Sequence, residues 1–350
     1  MESVPDEQSH ETRCIRWDEV GTSWSDTPTE SLDRSIDEDA ETLLDVQDLQ
    51  KWFDADDGLL DKVRFGKDAP GSLPVGLQTE HVQAVDGIDF EIKSGETFGL
   101  VGESGCGKSV TARTVLGLLD TKAEIRAGQI RYRGRKLRTG SDFASVRGTE
   151  IAMIFQEPQA SLNPVFTVRR QLFETLKTTG GLTGDQARER AIELLEAVQL
   201  PSPEALLEKY PHQLSGGQQQ RIMIALALAC EPDILIADEP TTALDVTVQA
   251  QILQLLSDLT DEFGVSVILI THNLGVIARL ADRIGVMYAG EVVERGPREN
   301  VLQNPHNPYT VGLLNSIPRI DTDASERKSL EPIAGNVPSL QDSELGDCCY

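Results

Sequence analysis

The chain has 350 residues, with 57 acidic against 32 basic side chains and a net charge of −25. Such a negative field opposes unassisted binding to nucleic acid, which needs Lys and Arg against phosphates. No apolar run approaches the roughly 20 residues of a membrane helix, and the longest, Met223–Cys230, reads as a buried core segment. Cys14, Cys106, Cys230, Cys348 and Cys349 lack a disulfide-framework spacing, and the N-terminus lacks a basic segment followed by an apolar one. No secretory signal or disulfide framework is expected, and the chain reads as cytosolic with reduced thiols.

Residues 1–41 hold 13 Asp or Glu against 3 Arg, too polar to bury a core of their own, and read as a disordered acidic tail. A strand is predicted over Leu43–Leu49, followed by Trp52 and Phe53. A Gly/Pro/Asp-rich insertion then runs from Asp54 to about Glu80, longer than most ordered loops and without an assignable role. Strands Ala84–Ile92 and Thr97–Val101 lead into Gly102-Glu-Ser-Gly-Cys-Gly-Lys-Ser109, and a helix is predicted over Val110–Leu119. This is the pattern G-x-x-x-x-G-K-[ST] in its strand–loop–helix setting. Its glycines let backbone N–H groups turn inward around phosphate oxygens, and the helix N-terminus adds partial positive charge. Lys108 can reach the β and γ phosphates and the Ser109 hydroxyl can hold Mg²⁺, so a nucleoside triphosphate is the implied ligand.

Roughly 161–224 reads as helical and polar, with helices over Val168–Thr178 and Gln186–Val198. It ends at Leu214-Ser-Gly-Gly-Gln218, which opens an apolar helix over Ile222–Ala229. Ile234-Leu-Ile-Ala-Asp-Glu239 is a buried-strand run ending in two carboxylates. Asp238 suits Mg²⁺ held through its water shell, and Glu239 points to the other side of the strand end. Ile268-Leu-Ile-Thr-His272 is a second such strand, ending in a histidine. Strands and helices alternate over 225–294, which predicts a mostly parallel α/β core.

In this order the motifs resemble the nucleotide-binding subunit of the ATP-binding cassette (ABC) superfamily, over about 42–300. The resemblance implies a P-loop NTPase with a RecA-like, mostly parallel core, an antiparallel β subdomain and an inserted helical subdomain at about 161–224. It implies ATP and Mg²⁺ as cofactors, with Gly102, Ser104, Gly105, Cys106, Gly107, Lys108, Ser109 and Val110 around the phosphates. Glu239 would polarise the attacking water, His272 would hydrogen-bond the γ-phosphate, and Gln156 would contact Mg²⁺ and water. Ser109, Gln156 and Asp238 form the implied metal set. Phe53 occupies the place of the aromatic that stacks on adenine. Two subunits are implied to pair head to tail, each ATP lying between one phosphate loop and the partner's copy of Ser215, Gly216, Gly217 and Gln218. Ala243-Leu244-Asp245 resembles the loop that crosses that interface.

Gln156-Glu-Pro-Gln-Ala-Ser-Leu-Asn-Pro164, Tyr210-Pro-His-Gln-Leu214 and Asn304-Pro-His-Asn-Pro-Tyr-Thr310 resemble the dipeptide/oligopeptide importer ATPases, which include nickel and sugar importers. That likeness makes 301–350 a C-terminal extension and implies two transmembrane permease subunits as partners. It also implies a second, related ATPase or a second copy, and indirectly an extracellular solute-binding protein, with the chain at the cytoplasmic face of the membrane. The spaced cysteines that ligate an iron–sulfur cluster in many members are not matched by Asp347-Cys-Cys-Tyr350, so either no cluster or a chain truncated ahead of that segment is expected. A soluble ABC clamp on DNA or ribosomes is the second class, but only one cassette and no sustained heptads are present. Outside the tail, 309 residues still carry −15, with Lys scarcer than Arg. This resembles proteins of a high-salt, haloarchaeal cytoplasm, where ions screen self-repulsion.

Overall fold

The computed structural model describes residues 11–12, 39–54, 81–119, 125–242 and 244–316. Most of the expected tail, nearly all of the insertion and the Cys348–Cys349 pair lie outside these residues.

The central sheet comes from short apolar runs. Its strands are β1 (Glu11–Thr12), β4 (Thr97–Val101), β7 (Ile151–Ile154), β8 (Ile234–Asp238), β9 (Ser266–Thr271), β10 (Arg283–Tyr288) and β11 (Glu291–Pro297). The order is β1-β11-β10-β4-β9-β8-β7, parallel from β10 to β7 and antiparallel at β11 and β1. Strands β4, β8 and β9 are buried along their whole lengths, as a parallel sheet covered on both faces requires. Their period of two feeds two cores. Leu235, Ala237, Val267 and Leu269 join one cluster, while Ile234, Ile236, Ile268 and Ile270 join the other.

The second cluster is roofed by an antiparallel sheet, order β3-β2-β5-β6, built from β2 (Thr42–Asp54), β3 (His81–Lys93), β5 (Ile125–Tyr132) and β6 (Arg135–Leu137). Between the sheets lies α1 (Lys108–Val115), which buries Ala112 and Val115. The predicted strand Leu43–Leu49 thus runs on to Asp54. Pairing with β3 carries it there through several register shifts, including one around Asp48, whose φ is +45°. The helix predicted to reach Leu119 stops at Val115, because the chain turns at Gly117, φ +60°, where a Cβ would lie 2.6 Å from the Phe143 ring. Helix α2 (Gly140–Val146) closes this side.

The first cluster is covered by helices: α3 (Pro158–Ser161), α4 (Val168–Gly180), α5 (Gly184–Ala197), α6 (Pro203–Leu207), α7 (Gly216–Leu228), α8 (Val246–Phe263) and α9 (Leu274–Leu280). Helix α4 starts where the Thr167 hydroxyl accepts from the Arg170 N–H, and turns Val168, Leu172 and Leu176 inward. Helices α10 (Arg298–Gln303) and α11 (Pro308–Asn315) follow β11. Helix α10 crosses the boundary expected at 300, and Tyr309 and Leu314 of α11 belong to the same cluster as the parallel strands. The described part of the expected extension therefore shares the core. Within the expected tail, Glu11 and Thr12 pair with Arg295 and Glu294. That edge pairing draws on a neighbouring strand, so it needs no core of the tail's own.

Candidate functional site: a phosphate loop facing a carboxylate cluster

The carboxyl ends of β4, β7, β8 and β9 meet at one edge of the parallel sheet, where open α/β sheets hold their ligands. After β4 the chain turns through Gly102, Gly105 and Gly107, with φ of +155°, +87° and +109°. Glycine is required at two of these for space as well as for backbone. A Cβ on Gly102 would lie 2.1 Å from the Met287 carbonyl oxygen, and one on Gly107 2.3 Å from that of Ala84. Ser104 and Gly105 are exposed at the tip, while Cys106, Gly107 and Lys108 are buried, and Ser109 and Val110 lie half-buried in the first turn of α1. Lys108 Nζ donates to the carbonyls of Gly102 (2.9 Å) and Glu103 (2.7 Å), so its ammonium is folded over the loop. Burial pushes the Cys106 thiol up, against the opposing influence of Lys108, and keeps it protonated.

Asp238 ends β8 and is fully buried. Its Oδ1 accepts from the Ser109 hydroxyl at 2.8 Å, and its Oδ2 is buried without a hydrogen-bond partner. Burial pushes its carboxyl up, with the Ser109 bond and the Arg113 and Lys108 charges acting against that. An orphaned carboxylate oxygen beside a hydroxyl suits a hard cation with oxygen ligands, so these residues fit Mg²⁺.

Glu239 follows in the left-handed region, φ +46°, and its N–H donates to the Ile270 carbonyl of β9. Its carboxylate is set among a ring of donors. Gln156 Nε2 reaches Glu239 Oε2 at 2.8 Å, the Thr242 hydroxyl reaches the same oxygen at 2.9 Å, and His272 Nδ1 lies 3.1 Å from Oε1. Burial pushes the Glu239 carboxyl up, but the His272 and Thr242 bonds, with the His272 and Lys108 charges, outweigh it and hold the group below the usual carboxylate range. Glu239 is therefore ionised at neutral pH, which a group that orients and polarises water requires.

The structure thus joins Ser109 to Asp238, and Gln156 and His272 to Glu239. Here Gln156 contacts the carboxylate of Glu239, not that of Asp238. Sequence reasoning missed Thr242, whose signal was available three residues after Glu239 in the same turn. It also gave Tyr309 no site role, although the Tyr309 hydroxyl accepts from the Glu103 N–H of the loop at 3.0 Å.

The other predicted residues lie apart. The Ser215 hydroxyl accepts from the Gln218 N–H (3.3 Å) and Gln218 Oε1 from the Ser215 N–H (3.1 Å), a reciprocal cap at the start of α7. Ser215 and Gly216 are exposed, and a Cβ on Gly217 would lie 2.7 Å from Val248 Cγ1 of α8. Among the described residues, no hydrogen bond joins Ser215–Gln218 to Gly102–Ser109. Asp245 accepts from the Val248 N–H and caps α8, while Ala243 lies outside the described residues. Half-buried Phe53 pairs with Val82, two residues from the Ala84 carbonyl that abuts Gly107, and the Arg126 guanidinium sits 4.6 Å above the neighbouring Trp52 ring. Beside α4, Val165, Phe166 and Tyr210 join Arg169, Arg170 and Phe173 of that helix in lining an open groove of about 470 Å³. No described helix is long and apolar enough to cross a membrane.

Comparison with known proteins agrees with this geometry. The profile of the family described as ABC transporter matches residues 85–242, and that of the Oligopeptide/dipeptide transporter, C-terminal region matches 293–350. The chain is 51% identical to the dipeptide transport ATP-binding protein DppD of Bacillus subtilis over 262 residues, covering 74% of this chain and 77% of DppD. It is 49% identical to the oligopeptide transport ATP-binding protein AppD of the same organism over 301 residues, covering 85% and 84% of the two chains. Among solved structures, it matches a dimeric, post-hydrolysis ATP-binding cassette bound to ADP and Pi. That match has a TM-score of 0.59 and 28% identity, over 73% of this chain and 99% of that one. With a phosphate loop, a two-carboxylate strand end and relatives of this similarity over most of its length, the chain belongs to the ABC transporter family.

Proposed function

We propose that the chain is the ATP-hydrolysing subunit of an importer for di- or oligopeptides, working at the cytoplasmic face of the membrane beneath two permease subunits. The observation that carries the hydrolytic reading is Glu239, ionised and held by Gln156, Thr242 and His272 beside the Ser109–Asp238 pair. Glu239 orients and polarises a water for attack on the terminal phosphorus, while His272 and Gln156 fix the carboxylate and report the state of the site to the loops that carry them. Lys108 and the loop N–H groups hold the phosphates. Ser109 and Asp238, with Gln156 nearby, would hold Mg²⁺, which would supply positive charge to neutralise the phosphate oxygens. Phe53 is assigned to the adenine.

The exposed cap at Ser215–Gln218 serves the ATP of a partner subunit, so each nucleotide is sandwiched between two chains, and hydrolysis opens the pair by removing the bridging charge. The groove beside α4 receives the permease. A second, related ATPase completes the assembly, the negative surface belongs to a high-salt cytoplasm, and a solute-binding protein delivers the peptide from outside. The second reading, a clamp on DNA or ribosomes, is not favoured by relatives that are peptide-transport ATP-binding proteins.

Two substitutions separate chemistry from binding. Glu239→Gln removes the carboxylate and leaves the loop, so steady-state ATP turnover is expected to fall about 10²-fold or more with nucleotide affinity retained. Lys108→Ala weakens nucleotide binding itself. Near-normal turnover by Glu239→Gln, assembled with its permeases, would sink the assignment. Uptake of labelled peptide into vesicles bearing the whole complex, compared with nickel and sugar, tests the cargo.

A further inference from the structure

The phosphate loop is held by chain that lies more than 180 residues downstream in sequence. The Gly290 N–H, in the turn between β10 and β11, donates to the Cys106 carbonyl at 2.9 Å. On the opposite side of the loop, the Glu103 N–H donates to the Tyr309 hydroxyl at 3.0 Å. Tyr309 is 1% exposed, and its ring packs against that of Tyr288 with centroids 4.6 Å apart. Its place is fixed from below. The buried carboxylate of Glu294 on β11 accepts from the N–H groups of His306 (2.7 Å) and Asn307 (3.2 Å), and Asn307 Oδ1 accepts from the Tyr309 N–H at 2.9 Å. The carbonyl of the same Glu103 is an acceptor for Lys108 Nζ. The residue that Tyr309 holds is therefore one of the three, with Gly102 and Cys106, that place the phosphate-binding ammonium.

We propose that Tyr309 is a positioning residue of the nucleotide site, and that the chain from β11 to α11 sets nucleotide affinity by fixing the first turn of the phosphate loop through its hydroxyl. Without that oxygen the Glu103 N–H loses its acceptor, and the turn carrying the Lys108 contact is free to shift. The proposal rests on the nucleotide-binding reading of the loop, and the tests below distinguish the two.

Tyr309→Phe in the full chain keeps the ring and deletes only the hydroxyl. One hydrogen bond's worth of preorganisation corresponds to about three- to tenfold weaker binding of Mg·ADP in equilibrium titration, together with faster amide exchange at Glu103. Ser316→Ala is the control: its hydroxyl bonds the Leu313 carbonyl at the far end of α11, and it leaves both quantities at wild-type values. Coupling between sites is reciprocal. In the wild-type chain, which needs no variant to fold, saturating Mg·ADP therefore slows amide exchange across 309–314. Affinity unchanged in Tyr309→Phe, an equal loss in Ser316→Ala, exchange at Glu103 unaltered by the substitution, or exchange in α11 indifferent to nucleotide would each overturn the proposal. A wild-type chain that binds no nucleotide would overturn the reading of the loop as well.

Discussion

At the scale of single residues, the site divides two adjacent carboxylates between two tasks by backbone geometry. Asp238 ends a buried strand and keeps one oxygen for Ser109, whereas the left-handed turn at Glu239 swings the next carboxylate among Gln156, Thr242 and His272. Thr242 holds the Glu239 carboxyl down by donating to it. Thr242→Val keeps the shape and removes the donor, so the Glu239 carboxyl rises and its ionised fraction at mildly acidic pH falls. The acid limb of the kcat/KM profile of the assembled enzyme should move to higher pH, with little change on the alkaline side. A profile superimposable on wild type would show that the hydroxyl does not tune the carboxylate. The triphosphate pattern, the Asp–Glu pair and His272 were legible in the sequence because each stands at the end of an apolar run or within a loop of fixed spacing. The roles of Thr242 and Tyr309 were not, since neither the turn that holds Thr242 nor the Asn304–Thr310 motif that holds Tyr309 shows that folding sets them against Glu239 Oε2 and the Glu103 N–H.

At the scale of elements, the runs that became β4, β8 and β9 could be read directly, because strands buried on both faces are continuous in Val, Ile and Leu. The antiparallel roof was harder. Strand β5, Ile-Arg-Ala-Gly-Gln-Ile-Arg-Tyr, alternates half-buried and exposed residues only as far as Gln129 and then buries Ile130 and Tyr132 on the opposite phase, and the β2–β3 ribbon shifts register repeatedly. Neither gives a sustained period, and β5 and β6 were not foreseen. Where helices meet the central sheet, the fit is close. Gly99 of β4 faces α9, and a Cβ there would lie 2.7 Å and 2.8 Å from Ile277 side-chain carbons and 3.1 Å from Ala281 Cβ. Gly99→Ala overpacks this contact and should cost about 1–3 kcal/mol, read as a lower urea midpoint with an unchanged slope. A midpoint equal to wild type would mean that α9 yields freely.

At the scale of the whole molecule, pH and salt act through different charges. Glu96, just before β4, is buried with its oxygens on the Lys93 N–H (2.8 Å) and Arg283 (3.2 Å). Burial, joined by the Asp282 and Glu91 charges and opposed by Arg283 and the Lys93 bond, raises its carboxyl from 4.5 to about 7. Because the folded value lies above the unfolded one, the stability this group contributes is present below pH 4.5 and lost as pH rises through about 7. Between pH 5 and pH 8 the loss should be about 2 kcal/mol, and Glu96→Gln should flatten that slope in thermal unfolding. Equal slopes for the two proteins would contradict it. The net charge of −25 acts over longer distances. With like fields opposing close approach, the purified chain should be mostly monomeric in dilute buffer, and molar KCl with ATP should favour pairing, as light scattering across a salt series would report. A stable, fully active homodimer at low salt would contradict both the heteromeric assembly and the high-salt origin.

Glu239 also bears on how such a chain changes over generations. An L-residue in the left-handed region costs about 1–2 kcal/mol, and the carboxyl of Glu239 ties together loops that carry chemistry, not the core. Glycine or asparagine would occupy that backbone more comfortably, so on the proposed function it is the demand for turnover that favours glutamate there, against the preference of the fold. In an assembly of two unlike subunits where one hydrolytic site suffices, the copy released from that demand would be expected to lose its glutamate early, while its phosphate loop and core persist. Drift at this one position would then mark which of two paired sites still hydrolyses ATP and which has become a nucleotide-binding strut.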